Sequence, residues 1–186
     1  MSCTFMSNTA DTRMRIPQLI RSLPPELAET IFAYVQAEKR ETFATLMASV
    51  GAVLKFRPNI WKTWSKLRQR EWLRANLGLS RFADIARQLL QEWFINQRGQ
   101  MLCQFLDVLS IEHDDTGYIK GDLPETFDSA KLVEGVEALL KNFPAPEVAL
   151  YLHLFQHGGD KGWDSIADLL KNDERLLLNP GQVPPA

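Results

Sequence analysis

Apolar residues in this chain return every three or four positions, with little interruption, from Leu27 to Leu170. That period lays them along one side of a helix, and a strand would need alternation instead. Breaks in the pattern fall where helices have to stop or start: Pro24–Pro25, Pro58, Gly78, Gly99, Pro144 and Gly158–Gly159. Only the short stretch around Tyr118 and Ile119 has room for strand pairing. The pattern predicts an all-α chain, an irregular bundle of about seven or eight helices with at most one short hairpin near 115–122. With 186 residues, 45% hydrophobic and 24% charged, the chain can bury about 70% of its unfolded surface without disulfides or metal. Disorder over most of the length, a collagen-like repeat and a disulfide scaffold are excluded.

Residues 1–21 read as a flexible leader, 22–175 as one helical domain with possible sub-bundles 22–98 and 100–175, and 176–186 as a C-terminal tail. Ser22 with Pro24, Pro25 and Glu26 makes a helix entrance. The next helix, about Glu41 to Phe56, is apolar nearly all round and is expected at the centre of the core. The third is expected to run unbroken from an Asn59 cap to Asn76 and to stop at Gly78. Later helices centre on Leu89–Phe94, Leu102–Leu109, Leu132–Leu140, Glu147–His157 and Trp163–Leu170. The core is expected to centre on the second, fifth and seventh helices of this series, with the Trp-bearing face of the third.

The formal net charge is −2, but the sign is divided along the chain. Residues 1–100 carry 15 basic and 8 acidic side chains, and residues 101–186 carry 6 and 15. Such a split fits either an anionic partner or two halves that attract each other. Two cysteines, Cys3 and Cys103, with no apolar leader, point to reduced thiols in a cytoplasmic protein. The longest uncharged stretch near a helix, Thr42–Leu54, is too short to span a membrane.

The sharpest functional signal is the segment Asn59–Arg74. Lys62, Lys66, Arg70 and Arg74 recur every fourth residue, and Arg68 adds charge beside them. Ile60, Trp61, Trp64 and Leu67 are expected on the opposite, buried side. The stripe predicts a non-enzymatic interaction module (an adaptor, inhibitor or regulatory subunit) whose basic helix meets an acidic protein surface. The same cations could contact nucleic-acid phosphates, although a pI of about 5.9 weighs against that class. The plainer alternative is a solvated stripe, or one docked on the acidic half of the same chain.

His153 and His157 are four residues apart, a spacing at which one helix face offers two imidazoles to a metal. With His113 they make a third functional class, a metal-dependent enzyme. The segment His153–His157 lacks the glutamate of the zinc-protease pattern, and a polar strip on an apolar helix accounts for it equally well. Asp114–Ile119 is no calcium loop, because the twelfth position is Leu123 where a carboxylate is required. Gly158–Gly162 follows a helix, lacks phosphate-loop spacing and reads as a C-cap with a linker. No nucleophile pattern is present and no cofactor is expected. None of these motifs identifies a family.

Overall fold

The computed structural model describes residues 13–158 and 163–178. Ten α-helices run in chain order: α1 Ile16–Ser22, α2 Pro25–Glu38, α3 Arg40–Val53, α4 Pro58–Lys62, α5 Lys66–Leu77, α6 Ala83–Gln97, α7 Gly99–Val108, α8 Ser129–Asn142, α9 Ala145–Phe155 and α10 Asp164–Asn172. Among the described residues there is no strand, only a lone antiparallel bridge between His113 and Ile119, inside the region expected to hold a hairpin. The all-α class is therefore that of the structure. The count rises from eight to ten because the leader contributes a helix and the expected third helix is two.

The leader was expected to be flexible through residue 21, but its last turn and a half is α1. Ile16, Leu19 and Ile20 are essentially inaccessible there, packed against α5, α6 and α9. Ile16, Leu19, Ile20 and Leu23 have the i, i+3, i+4, i+7 spacing of a core-facing helix, which the polar residues before Arg13 conceal. Residues 1–12, including Cys3, lie outside the described set, as do 159–162 of the expected glycine-rich linker. The C-terminal tail is shortened in the same way. Leu176 and Leu178 are buried, and 179–186 lie outside the described residues.

The expected third helix breaks at Thr63–Ser65. Ser65 caps α5 through its hydroxyl, which accepts from the Arg68 N–H at 3.3 Å. Thr63 turns its own hydroxyl back on the Ile60 carbonyl at 2.8 Å. Asn59, the expected cap, has a side chain outside the described set, and the preceding helix begins at Pro58. Gly78 closes α5 as the spacing predicts.

The centre of the core also differs from expectation. α3 lies at the edge: Phe43, Leu46, Met47 and Val50 face inward, while Ala44, Ala48 and Val53 face solvent. Of the apolar set that made it look central, Val53 is exposed and Leu54 half-buried, and among its small residues Ala44, Ala48 and Ala52 are exposed. The centre is α6 and α9. Trp93, Phe94, Leu89 and Leu90 of α6, and Val148 to Leu152 of α9, are buried in one contiguous apolar cluster reaching from α1 to Leu178.

One ion pair joins these two helices. Arg98 occupies the elbow between α6 and α7, and its Nε and Nη2 donate to the two Glu147 oxygens at 2.5 and 2.8 Å. The Glu147 side chain is 8% exposed, in the first turn of α9 where the helix dipole favours an anion. The guanidinium also lies over the Trp93 ring at 5.2 Å. The hydrogen-bonded glutamate raises the pKa of Arg98 against the opposing effect of burial.

Removing Glu147 leaves the partly buried Arg98 guanidinium without its carboxylate, and removing Arg98 leaves the buried Glu147 carboxylate uncompensated. Glu147→Gln is expected to lower stability by about 3 kcal/mol, a melting-temperature drop on the order of 10 °C. The double variant Arg98→Met with Glu147→Leu should recover most of that loss. Additive losses in thermal denaturation would contradict a coupled pair.

Candidate functional site

The split of the basic segment divides its cations into two groups. On α5 the inward face is Arg70, Leu73, Arg74 and Leu77, spaced i, i+3, i+4, i+7, and both leucines are fully buried. The C-terminal half of the stripe thus coincides with the core-facing side. Arg70 is 16% exposed and pairs with Glu29 of α2 (Nη2 to Oε1, 2.5 Å), with Nη1 donating to Gln36 Oε1 at 2.8 Å. Gln36 in turn donates to the Lys66 carbonyl and to Gln69 Oε1, both at 3.1 Å. Arg74 Nη2 donates to the Leu23 carbonyl at 3.0 Å, satisfying an acceptor at the C-terminus of α1. These two arginines, expected in a partner site, are structural ties from α5 to α1 and α2.

The remaining predicted residues stay outside. Lys62, Lys66 and Arg68 are exposed, and none has a carboxylate within 4.0 Å among the described residues. Lys62 lies 5.9 Å from the Trp61 ring and Arg68 lies 4.6 Å from the Trp64 ring. Tryptophan burial is graded. Trp61 is buried, while Trp64 and Trp72 are half-buried and close on Phe56 with centroids 5.5 to 5.9 Å apart. Ile60 and Leu67, expected to face the core, are 43% and 53% exposed. Ile60 lies on α4 and Leu67 in the first turn of α5, on the two sides of the break at 63–65, so the face that one unbroken helix would have buried is divided.

Three further residues belong to this corner: Lys55 and Arg57, whose charge beside the stripe is visible in the sequence, and Val53, which reads there as a core residue of α3. Val53 is 55% exposed at the end of α3, and Lys55 and Arg57 are exposed on either side of Phe56. Lys55 holds a positive φ of 54° that closes the α3 terminus, with the Phe56 N–H donating to the Gly51 carbonyl at 2.8 Å. The corner is thus cationic, with aromatic rings half covered and aliphatic side chains exposed.

The acidic half of the chain does not neutralise it. Among the described residues, Lys39 pairs with Glu92 and Arg70 with Glu29 inside the first half, and Arg175 pairs with Glu137 and Asp173 inside the second. Among the described residues, Arg98–Glu147 crosses between halves.

The three histidines are not brought together. No group of three or more His, Cys, Asp or Glu side chains is placed to share a metal ion among the described residues. His113 Nδ1 donates to its neighbour's carbonyl, Asp114, at 2.7 Å, and Nε2 faces Asp107 Oδ1 at 3.1 Å. His157 Nε2 donates to the Met14 carbonyl at 2.9 Å, fastening the segment before α1 to the end of α9. His153 is mostly buried, and its Nδ1 has no hydrogen-bond partner. No helix among the described residues is long and apolar enough to cross a membrane. No protein-family model matches the chain, and comparison with curated proteins and with solved structures gives no match.

Burial, and then the neighbouring His157, pull the His153 pKa down to about 4. In the unfolded chain the ring regains a value near ~6.5, so below that pH the unfolded state binds the proton first. Stability is complete above ~6.5 and falls as pH drops toward 4. His113 has the opposite sign: the Asp114 carbonyl and then Asp107 raise its pKa, adding stability that is lost as pH rises. The carboxylates held low by their hydrogen bonds, Asp114, Glu137 and Asp173, lose their contribution only below about 4. Denaturant titrations from pH 7 to 4 should show His153→Leu flattening the decline and gaining roughly 2–3 kcal/mol over the wild type at pH 4. An unchanged slope would contradict a neutral, buried His153.

Proposed function

We propose that this chain is a non-enzymatic interaction module of the cytoplasm that binds an acidic, amphipathic protein segment at the corner formed by α3, α4 and α5. The observation that carries this is the set Lys62, Lys66 and Arg68, which lacks carboxylate partners among the described residues and accompanies exposed Ile60 and Leu67. Lysines and arginines alone would favour any polyanion. Exposed Val53, Ile60 and Leu67 lose water-exposed area only against a ligand that carries apolar groups as well as charge. An acidic helix with leucines on one side supplies both, and Trp64 and Trp72 offer the rigid half-covered rings typical of interface anchors. The divided charge agrees with this: +7 on residues 1–100 would steer an acidic segment to this end, while −9 on 101–186 repels it elsewhere. The paucity of cysteine supports the reducing compartment.

Fluorescence anisotropy tests the assignment with three probes: a labelled 18-residue peptide of alternating Glu/Leu helical faces, a random 20-base-pair duplex, and vesicles containing phosphatidylserine. The peptide is expected to bind with affinity that weakens as salt is added. Lys62→Glu, Lys66→Glu and Arg68→Glu combined should weaken it at least tenfold without moving the melting temperature by more than a few degrees. Duplex binding at equal or higher affinity, or a triple variant that binds normally, would overturn the proposal.

A further inference from the structure

A second site lies far along the chain from the basic corner. An opening of about 1120 Å³ is bounded by α6, α9 and the 117–126 loop. Its volume is somewhat above the usual range of about 300–1,000 Å³ for small-molecule sites. Phe94, Tyr151, Phe155 and Trp163 of the core, 1 to 7% exposed, border it, and the rings follow one another at 5.6, 5.8 and 5.3 Å between centroids, the last pair stacked at 21°. The loop that forms the opposite wall is a built one. Asp114 Oδ1 accepts from the Thr116 and Tyr118 N–H groups at 2.8 and 3.0 Å. Gly117, with a φ of +81°, lies so close to α7 that a Cβ there would meet the Leu102 Cβ at 2.4 Å. This wall is fixed to the helices before any ligand arrives.

Into the opening α6 also directs one cation. Arg87, Gln91 and Phe94 share a face at i, i+4, i+7 and all three line it. Arg87 is half-buried, its Nε is shut off from solvent with no hydrogen-bond partner, and no carboxylate pairs with it among the described residues. Every other half-buried arginine of the helices described above, Arg70, Arg74 and Arg98, has acceptors. A guanidinium in partly dry surroundings without an acceptor is costly, and a carboxylate matches its planar fork with two hydrogen bonds.

We propose that this cleft is a binding site for a small aromatic carboxylate, its ring against the small exposed portions of Phe94, Tyr151, Phe155 and Trp163 and its carboxylate on Arg87. Asp122 and Glu125, both exposed, are the carboxylates on the lining, and His157 is its imidazole. The two carboxylates set the ligand's charge: one carboxylate reaching Arg87 passes them, whereas a di- or triphosphate would crowd against both.

Isothermal titration of the full chain with 2-naphthoate, and separately with neutral 2-naphthamide, distinguishes the two parts of the site. The carboxylate is expected to bind at least tenfold more tightly than the amide. Arg87→Gln should erase that difference while leaving weak binding of both. Arg87→Lys, which keeps the charge and loses the fork, should retain an intermediate preference and serves if the glutamine variant does not fold. Equal binding of the two compounds by the wild type, no binding of naphthoate at millimolar concentration, or an unchanged preference in a folded Arg87 variant would overturn the proposal.

Discussion

A guanidinium taken out of water has to be given acceptors, and that requirement places three arginines of this chain. Arg98 crosses from the α6–α7 elbow to Glu147 on α9, Arg70 reaches Glu29 and Gln36 on α2, and Arg74 closes on the Leu23 carbonyl at the end of α1. Between them they tie α5, α6 and α9 to their neighbours at points where apolar contact alone would leave the helix axes free to slide. Arginine suits this use because its planar fork satisfies two acceptors at once. Lysine offers a compact ammonium that stays hydrated, and the lysines of the basic segment do remain outside.

The consequence for function is that a stripe regular in sequence is divided in space. Lys62, Lys66 and Arg68 face water, while Arg70 and Arg74 face the protein. The outward set joins Lys55 and Arg57 around the Phe56–Trp64–Trp72 cluster, so charge and apolar surface occur on the same corner. On the other side of the core, α6 and α9 form one wall of the cleft, and the Arg98–Glu147 pair fixes the relation of those helices. The two proposed sites thus depend on the same helices being held, one through α5 and the other through α6 and α9, but they take different ligands by different groups.

Much of this was legible in the sequence. The period of the apolar residues gave the helical class, and Pro25, Gly78, Gly99 and Pro146 bound helices as their chemistry requires. What stayed hidden was the partition of mixed faces. Arg70 and Arg74 read as a solvent stripe when counted with Lys62 and Lys66, yet Leu73 and Leu77 complete the same helical face, and burial of two leucines outweighs exposure of two arginines that have acceptors waiting. α1 was concealed because only seven residues form it and its neighbours toward the N-terminus are polar. α3 misled in the opposite direction, since Val53 and Leu54 count toward an apolar pattern yet are exposed and half-buried at its C-terminal end. Arg87 gave no signal of its own. It is one arginine on an apolar helix, and only the absence of any acceptor around its Nε sets it apart.

The division of the basic segment is most directly measured by alanine substitution at each of its five cations, with stability read from denaturant unfolding at neutral pH. Arg70→Ala and Arg74→Ala should each cost about 1–3 kcal/mol, the loss of hydrogen bonds made by a charged group. Lys62→Ala, Lys66→Ala and Arg68→Ala should stay within about 0.5 kcal/mol of the wild type, as solvent-facing residues do. Five equal losses, or the larger losses falling on the lysines, would contradict the separation of inward ties from an outward face.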